Sequence, residues 1–128
     1  MRTLVAALGL ILGVAGTATA HHSFAVHYDT EKYIEISGTV TDFRFANPHG
    51  IVTLTVTGEN GEKTEWRAET NSPNLLKRRG WTEESIEAGQ EVTVEGWPAR
   101  DGAPLIRVGK VILSDGTELL GQGGRPEE

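Results

Sequence analysis

Ile34-Glu35-Ile36-Ser37-Gly38-Thr39-Val40-Thr41-Asp42-Phe43-Arg44-Phe45 is the stretch on which the fold turns. Ile34, Ile36, Gly38 and Val40 share one side of an extended chain, and Glu35, Ser37, Thr39 and Thr41 share the other. This period-two alternation is that of a half-buried strand. The phase then inverts, with Phe43 and Phe45 apolar and Asp42 and Arg44 polar. An inversion inside an unbroken strand predicts a bulge or a sharp bend, and Gly38 adds curvature. A small closed barrel needs such a long, bent first strand to join both of its sheets.

Downstream, Asn47-Pro48-His49-Gly50 breaks the strand with turn residues. Val52, Leu54 and Val56 predict the inner face of a second strand, and Asn60-Gly61 a two-residue hairpin. A third strand follows, with Thr64, Trp66 and Ala68 on its inward phase. Ser72-Pro73 reads as an N-cap and first helical position, and Gly80 as the left-handed stop of a short helix. Thr82-Glu83-Glu84 predicts a second helical turn, with Ile86 as its apolar contact. Glu91 to Trp97 alternates as a fourth strand, and Leu105 to Leu113 forms a fifth with Gly109 as a bulge. Arg100-Asp101-Gly102 and Asp115-Gly116 are turns, the latter leading into a short edge from Thr117 to Leu120. Val40, Val52, Leu54, Val56, Trp66, Val92, Val94, Ile106 and Val111 make up the expected core. Trp81 is expected to staple the helix onto the barrel, and Trp97 is the tryptophan expected at the surface.

Three strands, a helical segment and two strands give an all-β fold. The expectation is a small five-stranded Greek-key barrel of the oligonucleotide/oligosaccharide-binding (OB) type, with one short helical segment between strands 3 and 4. A two-sheet sandwich would need about seven evenly spaced strands, which the pattern lacks. The barrel is expected over residues 33–120, with a disordered, glycine-rich, acidic tail at 121–128.

Upstream, residues 1–20 carry Arg2, an apolar run from Leu4 to Ala15 and a small-residue end at Ala18-Thr19-Ala20. This is the pattern of a cleaved export signal, with a cut expected after Ala20. Its apolar run is too short for a membrane anchor. A periplasmic or secreted protein without stable membrane insertion is expected, and a monomer. The 128-residue chain has 12 basic and 18 acidic residues, a net charge of −6. Losing the signal removes one basic residue and no acidic one, so the mature charge is about −7. An acidic surface argues against nucleic acid as a partner. There is no cysteine, and the one methionine is Met1, so the mature chain has no disulfide and no sulfur ligand.

Processing at Ala20 exposes His21 with a free α-amine, followed by His22 and His27 in a histidine-containing arm at residues 21–32, which is expected to be polar and irregular from Ser23 to Lys32. His49 is the fourth and last histidine. Amine and ring of His21 form one chelate, which His22, His27 or His49 would complete. Nitrogen donors without sulfur suit Cu(II), then Zn(II) or Ni(II). The plainer reading has two solvated histidines at a flexible terminus, His27 on the surface beside Tyr28 and Asp29, and His49 serving its turn.

No cysteine nucleophile, Gly-x-Ser-x-Gly or phosphate-binding glycine loop is present, which argues against an enzyme. A copper-dependent oxidative enzyme remains a third reading. The second is a periplasmic binding module whose barrel takes a protein, a peptide or a small envelope ligand without metal.

Ala20-His21-His22-Ser23-Phe24, Gly38-Thr39-Val40, Asn47-Pro48-His49, Ser72-Pro73-Asn74 and Arg78-Arg79-Gly80-Trp81-Thr82 are accompanied by Gly89 to Gly96. Together they resemble a family of small exported bacterial proteins classed as a domain of unknown function. The resemblance spans nearly the whole mature chain. It implies an exported, single-domain protein and brings no activity or ligand with it.

Overall fold

The structure is a computed structural model that describes residues 22–121. The proposed signal, His21 and residues 122–128 lie outside the described residues, as do the side chains of His22 and Ser23. In chain order the elements are α1 (His22–His27), β1 (Ile34–Arg44), β2 (Ile51–Thr57), β3 (Lys63–Glu69), α2 (Pro73–Arg78), β4 (Glu91–Pro98), β5 (Leu105–Leu113) and β6 (Glu118–Leu120).

β1 is the bent strand that the alternation predicts. Its first half, from Ile34 to Thr39, pairs antiparallel with β4, and its second half, from Thr39 to Arg44, with β2. The register shifts between Val40 and Asp42, where the sequence phase inverts. β2 pairs with β3 and β4 with β5, all antiparallel. A short parallel contact between β3 and β5, from Arg67↔Leu105 to Glu69↔Arg107, closes the circle β1-β2-β3-β5-β4. β6 extends the sheet beyond β5. This is the five-stranded OB-type barrel, with α2 between β3 and β4. Gly109 is the extra residue of a bulge, because Glu95 pairs with Lys110 and Gly96 with Val108.

The barrel core contains Val40, Val52, Leu54, Ala68, Val92, Val94, Ile106, Val108 and Val111, all buried. Leu76 of α2, Trp81 and Ile86 plug it from one end. Each fully buried aliphatic side chain contributes about 1.5–3 kcal/mol. Val56 and Trp66, expected inside, are only partly buried against this core. They sit where β3 has no neighbour beyond β2, since the β5 contact begins only at Arg67.

Other local expectations are corrected. Residues 23–32 are not irregular throughout, because α1 occupies His22–His27. Phe24 and Tyr28 stack four residues apart, at 5.5 Å between ring centroids. Arg100 Nε donates to the Ala25 carbonyl, capping the helix end. The hairpin after β2 is longer than two residues: Thr57↔Lys63 is its last pair, and Gly58 N bonds Glu62 O at 2.7 Å. A two-residue type I′ turn needs positive φ at both positions, and among the described residues only glycines have it. Gly61 does (φ 80°), while Asn60 uses its side chain to accept from Glu62 N. Thr82-Glu83-Glu84 forms a turn rather than helix, because Ser85 Oγ accepts Thr82 N at 2.7 Å. Ser72 stands at the N-cap of α2 without a side-chain capping bond.

Trp97 is buried, at 6% exposure, where a surface residue is expected. Its outward face is covered by Phe24, edge-on at 5.6 Å, and by Tyr33 at 5.1 Å. A second aromatic cluster thus lies outside the barrel, built by α1 folding back on β4. Trp81 is buried as expected, with its indole N–H donating to Leu120 O at 2.9 Å.

Candidate functional site

His49 is held at the barrel end by its successor. Gly50 N donates to Asn71 O, Thr70 N donates to Gly50 O, and Thr70 Oγ1 donates to the same carbonyl at 2.8 Å. A Cβ on Gly50 would lie 2.5 Å from Thr70 Oγ1, so this approach requires glycine. The turn between β1 and β2 is thereby fastened to the end of β3, where Glu69 is the last strand residue.

Glu69 is the hub of a polar network. Tyr28 OH donates to its Oε2 at 2.7 Å, and Arg107 donates to its Oε1 at 3.1 Å. Arg107 also donates to Asn71 Oδ1 at 2.7 Å, and Asn71 Nδ2 donates to Gly121 O at 3.0 Å. The Arg107 guanidinium lies 6.0 Å from the Phe24 ring centroid, a cation–π placement. Burial, followed by the bond to Glu69, holds the Tyr28 phenol above its ordinary value. Burial pulls Arg107 below its ordinary value, opposed chiefly by the Glu69 charge.

His49 Nε2 lies 3.6 Å from Glu69 Oε1. Its Nδ1 is buried and has no hydrogen-bond partner among the described residues. Of the four histidines proposed as ligands, His49 is the one placed beside a carboxylate among the described residues. His27 is exposed on the last turn of α1, where its carbonyl accepts Arg100 N. His22 opens α1, and His21 lies outside the described residues. Among the described residues no three His, Asp or Glu side chains form a metal-holding group.

Tyr28, Glu69, Asn71 and Arg107 are not picked out by motif reading. Arg107 did carry a signal, being a charge within the apolar run Leu105 to Leu113. The i,i+4 spacing of Phe24 and Tyr28 was the signal for α1. Glu69 had none, since its partners come from loops and strands distant in sequence.

No helix among the described residues is long and apolar enough to cross a membrane. A family model described as a family of unknown function (DUF6152) matches residues 8–106. No curated protein matches the chain.

Proposed function

We propose, for a chain that belongs to this family of unknown function, that it is an exported binding protein for a divalent metal, Cu(II) first. The amine and ring of His21, with His22, supply one side of the site, and His49 the other. The observation that carries this reading is the Glu69 network, which links the segment following the terminal histidines to His49. Phe24 packs against Tyr28 and Arg107, and both of these bond Glu69, which faces His49. His21 is three residues from Phe24, so its Cα lies within about 10 Å of the Phe24 Cα. That tether limits how far a chelate at the terminus can stray from the barrel, which supports completion of its coordination sphere by His49.

Titration of correctly processed protein with Cu(II), Zn(II) and Ni(II), followed by calorimetry, tests this. Cu(II) should bind tightest, and far tighter than to a short His-His peptide. Acetylating the amine should weaken it sharply, and His49→Ala less. An affinity equal to the peptide's, or equal with free and blocked amine, removes the proposal.

A further inference from the structure

The geometry points to Glu69 as the residue that fixes His49 in its Nε2–H tautomer, leaving the Nδ1 lone pair as the donor for a divalent cation. The inference deepens the proposed function, and its cation-binding half rests on that reading.

The Glu69 carboxylate is not free to turn. Oε2 is held by the Tyr28 hydroxyl and Oε1 by the Arg107 guanidinium, which Asn71 holds in turn. Oε1 therefore meets His49 Nε2 in a fixed orientation, at 3.6 Å. An unprotonated Nε2 would set its lone pair against a negatively charged oxygen. A proton on Nε2 turns that repulsion into attraction, so the neutral ring carries its proton there. Nδ1 is then a bare acceptor, and no donor among the described residues reaches it. Buried polar atoms normally have partners, and an exception calls for an explanation. A lone pair set up by a carboxylate on the opposite ring nitrogen is the arrangement by which proteins present imidazole to a metal.

The charge balance favours the same assignment of roles. Glu69 is already paired with Arg107, whose positive charge would repel a cation bound directly to the carboxylate. A cation at Nδ1 would sit on the ring nitrogen other than the one that faces the Glu69–Arg107 pair. Glu69 is therefore a positioning residue, acting through His49.

Long-range proton–nitrogen NMR on uniformly labelled full-length mature protein, at a pH of about 8, reads the tautomer directly. Metal-free protein should show His49 with Nε2 protonated and Nδ1 bare. Zn(II), a diamagnetic probe, should move Nδ1 to a ligated position and leave Nε2 protonated. Glu69→Gln, which keeps the shape and removes the charge, should raise the Nδ1–H population and weaken Zn(II) by about 10- to 100-fold. The wild-type measurement stands even where that variant fails to fold.

A protonated Nδ1 in metal-free protein, a Zn(II) shift at Nε2, or a His49 unmoved by Zn(II) bound elsewhere overturns the inference. Ligation at Nδ1 that is indifferent to amine acetylation upholds the inference while removing the amino-terminal chelate. Amine-dependent binding with His49 unmoved does the reverse.

Discussion

Glu69 and Arg107 are direct partners in the parallel β3–β5 register, and their side chains meet at 3.1 Å where the barrel closes. Arg107 is almost wholly buried, whereas the Glu69 side chain keeps 26% exposure. The two halves of the pair should therefore differ in cost. Glu69→Ala strands a buried guanidinium and should destabilise by about 3–5 kcal/mol. Arg107→Met leaves Glu69 bonded to Tyr28 and partly hydrated, so about 1–3 kcal/mol is expected. Urea unfolding measures both. Equal losses would mean that the guanidinium is not desolvated as described.

Tyr28 predicts a pH dependence. Its phenol is held above its ordinary value by burial and by Glu69, so the folded state keeps this proton more tightly than the unfolded chain. The stabilisation is complete below about pH 10 and is lost as the pH rises beyond that. Tyr28→Phe should cost about 1.5–3 kcal/mol at neutral pH, for the lost bond to a carboxylate. Its melting temperature should then fall less steeply than the wild type's above about pH 10. Identical alkaline slopes would show that another group titrates.

At Gly50 a methyl group has no room beside Thr70 Oγ1 or, at 3.2 Å, the Leu76 side chain. Gly50→Ala should cost about 1–3 kcal/mol by displacing the turn that carries His49. The paired variant Gly50→Ala/Thr70→Ser keeps the hydroxyl and the crowding, and should recover little of the loss in thermal unfolding.

Leu54 is fully buried in the barrel core. Leu54→Ala should destabilise by about 2–5 kcal/mol. Val26, 63% exposed on α1, is the control, and Val26→Ser should fall within about 0.5 kcal/mol. A Leu54 loss no larger than the control's would disprove the assigned register.

The metal reading depends on where the chain is cut. Intact mass of the exported protein should correspond to a start at His21, since Ala18 and Ala20 satisfy the small-residue rule. A start at Thr19 would put histidine third and release more protons on Cu(II) binding, which calorimetry in buffers of different ionisation enthalpy would reveal.

What the sequence determined by itself was whatever depends on neighbours along the chain. The alternation from Ile34 to Val40, its inversion at Asp42, the Gly109 bulge and the Pro73–Gly80 helix boundaries were all legible. Each is written in residues a few positions apart. His49 was likewise visible as a histidine in a turn. Tertiary structure alone decided which polar groups meet at the barrel end. Glu69 lies 41 residues from Tyr28 and 38 from Arg107, and only the β3–β5 closure and the return of α1 bring the three together. The same return buried Trp97 beneath Phe24 and Tyr33, although its place in the strand alternation had set it outward. Local patterns record which way a side chain points from its own strand, but not what a distant segment will lay over it.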